Sequence, residues 1–194
     1  MMTNIERMNL HKAIDYATEK HKGQFRKGTA RPYIIHPLET LSIVMECHPS
    51  ATLAMAAVLH DVLEDTDTTY EEIVKEFGKD VADLVKSHSE TKTENGVKLP
   101  WQVRKDRAIE ELKVASLDTK LLVFADSLAN LRAIDADYER LGNELFCRFN
   151  ETKDRIRWFY EEKYDIFCEL SDDIAGVASW KEEYLFHMNN VFND

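Results

Sequence analysis

The sequence predicts an all-α fold, a compact bundle of several helices. Apolar residues recur at helical spacing along most of the chain, and no alternating stretch of β-branched residues stands out. Only six glycines and four prolines interrupt its 194 residues. With 44% hydrophobic and 31% charged residues, the composition is that of a globular domain large enough to bury a core.

The periodicity predicts helices in a definite order, over about 4–21, 37–47, 51–63, 68–77, 79–87, 101–113, 120–131 and 141–170. Two stretches break the pattern. Gly23, Gly28 and Pro32 indicate a loop with a small hairpin near residues 24–33, and the polar residues 88–100, with the turn signal Asn95-Gly96, indicate a mobile loop. We expect one domain over 1–170 and a helical tail over 171–194 packed on it.

Charge and cysteine usage narrow the classes of function. The net charge of −11 argues against nucleic acid as a partner, because such proteins present a basic face. Three widely spaced cysteines, no CxxC pair, no signal-like N-terminus and no long apolar segment indicate a cytoplasmic protein with no membrane partner. A small polyanionic substrate stays compatible with this charge, provided that basic residues cluster locally, as they do in 20–31.

One segment concentrates the polar chemistry. An apolar helical run ends in His60-Asp61, and Glu64 and Asp65 follow within about one turn. On a continuous helix these four side chains share one side. Three carboxylates beside an imidazole repel one another unless something positive neutralises them, and a divalent cation is the simplest candidate.

Two further residues can complete a metal site. His36 precedes Pro37 at a predicted helix start, and Asp126 interrupts a strongly apolar helix, where an unpaired carboxylate is costly. Two imidazoles and two carboxylates suit Mn²⁺, Fe²⁺ or Zn²⁺, and Glu64 and Asp65 are placed to orient a water molecule or to exchange protons. The other histidines are assigned to surface or core positions: His11, His21, His48, His88 and His187.

The order H…HD…D resembles the HD superfamily of metal-dependent phosphohydrolases. Four segments are similar, more closely, to the hydrolase domain of RelA/SpoT-type proteins and to the stand-alone small alarmone hydrolases. They read His21-x-Gly23-Gln24-x-Arg26-Lys27, Pro32-Tyr33-Ile34-Ile35-His36-Pro37, His60-Asp61-Val62-Leu63-Glu64-Asp65-Thr66 and Ala125-Asp126-x-x-x-Asn130-Leu131-Arg132.

This resemblance implies an Mn²⁺-dependent pyrophosphohydrolase that removes the 3′-diphosphate of ppGpp or pppGpp. Carried over by position, the metal ligands are His36, His60, Asp61 and Asp126, and the residues that activate water are Glu64 and Asp65. The implied substrate contacts are Arg26, Lys27 and Asn130, to which Arg104 and Lys105 are added as phosphate contacts.

Three positions depart from the pattern of that family, which has lysine, a basic residue and an aromatic or histidine where this chain has Val123, Ser127 and Ala129. A pocket with less positive charge and bulk is expected, which leaves the substrate open. One alternative is an HD-type phosphohydrolase of another nucleotide, such as a nucleoside mono- or triphosphate or NADPH. The other is a nucleotide-sensing module without catalysis.

Overall fold

The computed structural model describes residues 2–94 and 96–193, and within these ranges helices predominate, as the periodicity predicts. In chain order the elements are α1 (Asn4–Lys20), α2 (Ile35–Met45), α3 (Ala51–Leu59), α4 (Val62–Asp65), α5 (Tyr70–Phe77), α6 (Lys79–His88), β1 (Thr93–Glu94), β2 (Val97–Lys98), α7 (Trp101–Lys113), α8 (Leu117–Leu141), a 3-10 helix (Gly142–Arg148), α9 (Lys153–Cys168) and α10 (Val177–Phe192).

The core is built around α3, which packs against α1, α2, α6 and α8. Every residue from Leu53 to Leu59 is buried, because this short helix is surrounded and has no polar face. The long helix α8 lies across α2 and also contacts α9 and α10. The middle of α8 and the end of α3 therefore meet inside the bundle, which is where the polar residues of the sequence motifs lie.

The predicted continuous helix over 51–63 is wrong. Regular hydrogen bonding stops at Leu59, and a new short helix begins at Val62. The His60 side chain supplies the reason: its Nδ1 lies 2.8 Å from the carbonyl oxygen of Ala57, an oxygen that an unbroken helix would use for backbone bonding. Asp61 takes φ −93° and ψ −6°. His60 and Glu64 thus belong to different segments and do not stack on one helix.

The predicted long helix over 141–170 is also wrong. Gly142 adopts a φ of +53°, a conformation that ends α8 and that side-chain-bearing residues avoid. A 3-10 helix follows, and α9 then starts at Lys153, where the hydroxyl of Thr152 accepts from the Arg155 amide. The chain therefore turns back between α8 and α9 instead of continuing in one direction.

Both irregular stretches contain local pairing. Around residues 24–33 the Arg26 amide donates to the Arg31 carbonyl at 2.9 Å, and the Tyr33 amide donates to the Gln24 carbonyl at 2.9 Å, which agrees with the predicted hairpin. Residues 88–100, expected to be a loop, contain the antiparallel strands β1 and β2. Of the predicted turn there, Asn95 lies outside the described residues.

The C-terminal helix α10 packs against α8 and α9. Trp180 is fully buried, and its indole Nε1 donates to Glu46 Oε2 at 2.8 Å. The proposed boundary at residue 170 stays a prediction. Among the residues that the structure describes, no helix combines the length and the apolarity that a bilayer crossing needs.

Candidate metal centre and active site

Four side chains from three parts of the chain converge at the junction of α2, α3 and α8. His36 is the second residue of α2, His60 and Asp61 occupy the break after α3, and Asp126 lies within α8. His36 Nε2 lies 3.2 Å from His60 Nε2 and 3.1 Å from Asp126 Oδ1. Asp61 Oδ2 lies 3.2 Å from His60 Nε2 and 3.5 Å from His36 Nε2.

The donor set fits a divalent cation. A carbonyl oxygen only accepts, so the contact with Ala57 places the proton of His60 on Nδ1 and directs the Nε2 lone pair at the cluster. Two nitrogens and two carboxylate oxygens stand within 3.1–3.6 Å of their neighbours, the spacing of ligands that share one ion at about 2.0–2.2 Å. The ligand atoms of His36, His60 and Asp126 all lie within 4.8 Å of one another.

The electrostatics of the cluster favour ionised carboxylates. Burial works to raise the pKa of Asp61, but the adjacent imidazoles of His60 and His36 outweigh it and hold that pKa low. The pKa of Asp126 is likewise lowered, against burial, by hydrogen bonds from the neighbouring imidazoles. Burial works to lower the pKa of His60, and the two carboxylates outweigh it and raise that pKa. The set therefore attracts positive charge, which a metal ion supplies when bound.

Asp126 ends a chain of hydrogen bonds that begins at Arg26. The Asn130 amide, one turn later in α8, donates to Asp126 Oδ1 at 2.8 Å. Arg26 Nη2, from the turn before α2, donates to Asn130 Oδ1 at 2.7 Å. The two predicted substrate contacts, Arg26 and Asn130, thus lie beside the candidate metal ligands His36, His60, Asp61 and Asp126, which we call the metal set. Asn130 links Arg26 to Asp126.

His88, which the sequence predicts to lie at the surface or in the core, lies at the site instead. Its Nε2 lies 3.3 Å from Asp126 Oδ2, and its ring centre lies 4.8 Å from that of His60. The sequence carries no signal for this role, because a histidine at a helix end before a polar loop is ordinary. Its place is set by the packing of α6 against α3 and α8.

The two candidate catalytic acids, Glu64 and Asp65, have partners that sequence reasoning missed. The Tyr33 hydroxyl donates to Asp61 Oδ2 at 2.7 Å and to Asp65 Oδ2 at 2.9 Å. Burial, followed by the charges of these two acids, raises the pKa of Tyr33, so the hydroxyl stays a donor. Lys92 Nζ lies 2.9 Å from Glu64 Oε2 and 3.6 Å from Asp65 Oδ1.

Two adjoining cavities open at the metal set, of about 890 Å³ and about 430 Å³. Glu64 and Arg104 line the larger one, the exposed Lys27 lines the smaller one, and Lys105 lines both. Arg104 and Lys105 both pair with Glu90, with Lys105 Nζ at 2.9 Å from Glu90 Oε1. All five predicted substrate contacts therefore line these cavities, although two of them are already engaged by a carboxylate.

The three departures from the family pattern have unequal consequences. Val123 lines the larger cavity, whereas Ala129 is fully buried in the core. Ser127 is 1% exposed, and its Oγ accepts from Lys163 Nζ at 2.9 Å. The positive charge expected to be missing at Ser127 is thus supplied by α9, from a residue that sequence reasoning did not single out.

Comparison with known proteins agrees with the motif reading. The family model described as HD domain matches residues 13–149. A guanosine-3′,5′-bis(diphosphate) 3′-pyrophosphohydrolase, MESH1 of Xenopus tropicalis, is 41% identical over 179 residues, which cover 91% of this chain and 90% of that protein. The enzyme with the same activity name from Aquifex aeolicus is 39% identical over 192 residues; the match covers 91% of this chain but only 27% of that longer protein.

Solved structures give the same result. One described as a metazoan orthologue of SpoT that hydrolyses ppGpp aligns with a TM-score of 0.73 and 29% identity, and the alignment covers 92% of this chain and 94% of that one. The protein lmo0812 of Listeria monocytogenes aligns with a TM-score of 0.71 and 29% identity, over 82% of this chain and 99% of that one. The helical arrangement, and not only the motifs, is therefore shared.

Proposed function

Because this chain belongs to the HD-domain family, we propose that it is a metal-dependent guanosine-3′,5′-bis(diphosphate) 3′-pyrophosphohydrolase. The observation that carries the proposal is the convergence of two imidazoles and two carboxylates beside a cavity of nucleotide size. MESH1 relatives from vertebrates and Drosophila that bear this activity name support the choice of substrate.

The proposed metal ligands are His36, His60, Asp61 and Asp126. Their mixed nitrogen and oxygen donors suit Mn²⁺, with Fe²⁺ and Zn²⁺ as the other ions of matching preference. We propose Mn²⁺, on the resemblance to RelA/SpoT-type hydrolases. A divalent cation bound there lowers the pKa of a water molecule and supplies a nucleophile near neutral pH.

The reaction adds water to the phosphorus attached to O3′ and breaks the bond between that phosphorus and O3′. GDP and pyrophosphate are the products when ppGpp is the substrate. We propose that Glu64, in the cavity wall, accepts the proton that the water loses, and that this proton then passes to O3′, so that GDP leaves with a free 3′-hydroxyl. Asp65 is the second carboxylate proposed to orient the water molecule. The Tyr33 hydroxyl, which donates to both Asp65 and Asp61, fixes the position of the Asp65 carboxylate relative to that of Asp61.

We propose that the nucleotide lies across the two cavities, with Arg26, Lys27 and Asn130 on its base and ribose side. Arg104 and Lys105 then contact phosphate, in exchange for their pairing with Glu90. Arginine and lysine clusters of this kind let an acidic protein bind a polyanion locally. A cytoplasmic location is part of the proposal and rests on the free cysteines Cys47, Cys147 and Cys168.

A substrate panel tests the proposal. Purified protein is incubated with Mn²⁺ and ppGpp, GTP, dNTPs or NADPH, and the products are identified. We expect GDP and pyrophosphate from ppGpp, and loss of both metal content and turnover in His60→Ala and Asp61→Ala. If ppGpp survives while another nucleotide is cleaved, the substrate is wrong; nucleotide binding without metal or turnover would instead identify a sensing module.

A further inference from the structure

Lys163, from α9, places an ammonium group in the wall that the two cavities share. Its Nζ lies 2.9 Å from Ser127 Oγ and 4.4 Å from the centre of the Phe159 ring. Among the residues that the structure describes, no carboxylate lies within ion-pairing distance of this nitrogen. Lys163 is thus a half-buried cation whose hydrogen-bond partner is a neutral hydroxyl.

Three other cations of the larger cavity already have a carboxylate partner. Arg104 and Lys105 pair with Glu90, and Arg107 Nη2 lies 3.4 Å from Glu94 Oε2. A cation taken partly out of water is costly unless an anion or several hydrogen bonds compensate it. Burial indeed lowers the pKa of Lys163, to about 8. The structure therefore holds an uncompensated positive charge that an incoming anion would stabilise.

The position of this charge relates it to the reaction. Ser127 directly follows Asp126 in α8, and both Asp126 and Lys163 line the two cavities. The ring centres of Phe159 and Tyr160, on the same helix, lie 4.4 and 5.8 Å from the ammonium nitrogen. Lys163 itself lines both cavities.

We propose that Lys163 binds a phosphate group of the nucleotide substrate at the junction of the two cavities. The identity of the nucleotide in this inference rests on the proposed function. The binding of a phosphate group rests only on the cavity and on the ammonium group without a carboxylate partner. Lys163 would thereby restore, from another helix, a positive charge that the chain lacks at position 127.

The alternative is a purely structural role, in which Lys163 joins α9 to α8 through Ser127. Three variants separate the two roles. Lys163→Met removes the charge and keeps most of the apolar stem, Lys163→Arg keeps the charge, and Ser127→Ala removes the hydrogen bond while leaving the charge in place. Lys113→Met is the matched control, because Lys113 pairs with Glu110 on the outer face of α7.

Binding of inorganic pyrophosphate to the metal-free 194-residue chain is measured by calorimetry, and KM and kcat for ppGpp are measured with Mn²⁺. We expect Lys163→Met to weaken pyrophosphate binding and to raise KM by about tenfold each, the effect of one charge-assisted hydrogen bond. Lys163→Arg should retain most of the affinity, and Ser127→Ala and Lys113→Met should match the wild type. Urea unfolding of each variant shows that it is folded.

Three outcomes overturn the proposal: no measurable pyrophosphate binding by the wild type, equal binding by wild type and Lys163→Met, or an equal loss in Ser127→Ala, which would show a structural role. If the wild type leaves ppGpp intact but binds pyrophosphate through Lys163, the proposed substrate fails and the Lys163 assignment stands. If ppGpp is hydrolysed and Lys163→Met binds pyrophosphate normally, only the assignment fails.

Discussion

Replacing Tyr33 with phenylalanine removes one hydroxyl that two acids share and leaves the ring in place. The hydroxyl donates to Asp61 at 2.7 Å and to Asp65 at 2.9 Å. Asp61 belongs to the proposed metal set and Asp65 to the proposed pair of catalytic acids. The substitution should therefore affect metal binding and turnover separately, and each effect can be measured alone.

The magnitude follows from the type of hydrogen bond. A bond to a charged group contributes about 1.5–3 kcal/mol, and 1.4 kcal/mol corresponds to about tenfold. Loss of the bond to Asp61 should weaken Mn²⁺ binding by about 10–100-fold, the range found when partners of metal ligands are removed. Loss of the bond to Asp65 should lower kcat at saturating Mn²⁺ by about tenfold or more.

Calorimetric titration with Mn²⁺ measures the first effect, and steady-state hydrolysis of ppGpp at saturating metal measures the second. Tyr70→Phe is the control, because its hydroxyl also donates to a carboxylate, Asp83 Oδ1 at 2.6 Å, on an exposed face. Unchanged Mn²⁺ affinity and unchanged kcat in Tyr33→Phe would refute the idea that this hydroxyl organises the acids. Equal losses in both variants would show a general effect of removing a tyrosine hydroxyl.

Glu90→Gln should tighten pyrophosphate binding by about tenfold in calorimetry, because Arg104 and Lys105 lose their carboxylate partner and one charge-assisted hydrogen bond to the ligand contributes about 1.5 kcal/mol; Glu110→Gln, whose partner Lys113 lies on the outer face of α7, should change nothing. The folded-state pKa of Lys163, about 8, lies below its ordinary value of 10.5, so between these values the unfolded chain binds more protons. The free energy of unfolding in urea should therefore rise with pH in that window for the wild type relative to Lys163→Met. Parallel curves for the two proteins would contradict a lowered pKa of Lys163 in the folded state. Trp180→Ala should lower the free energy of unfolding by about 3–5 kcal/mol in one transition; two transitions would show that the C-terminal helix unfolds separately.

The convergence of the candidate metal ligands could be predicted because each of them interrupts a pattern. His60 and Asp126 lie in apolar helical runs, where a buried polar side chain is costly unless it has a partner. His36 precedes a proline that marks the start of a helix. The fold class followed from the same periodicity. The helix boundaries followed less well, since the break after Leu59 depends on a side chain bonding to its own helix, which periodicity does not reveal.

The residues that sequence reasoning missed act across long separations. Tyr33 reaches an acid 28 positions later, and Lys163 reaches a hydroxyl 36 positions earlier. Such contacts are set by how α2, α8 and α9 pack, and no local spacing encodes them. The turn back at Gly142 has the same effect, because a continuous helix over 141–170 would have carried Lys163 away from the site.

The link from Arg26 through Asn130 to Asp126 has a thermodynamic consequence. Arg26 fixes the orientation of the Asn130 amide, and that amide fixes one oxygen of Asp126. If a nucleotide engages Arg26, we expect it to change the state of Asp126, a proposed metal ligand, and binding linkage is reciprocal. Whatever factor the nucleotide applies to metal affinity, the metal applies to nucleotide affinity, so each of the two affinities is defined only at a stated concentration of the other ligand.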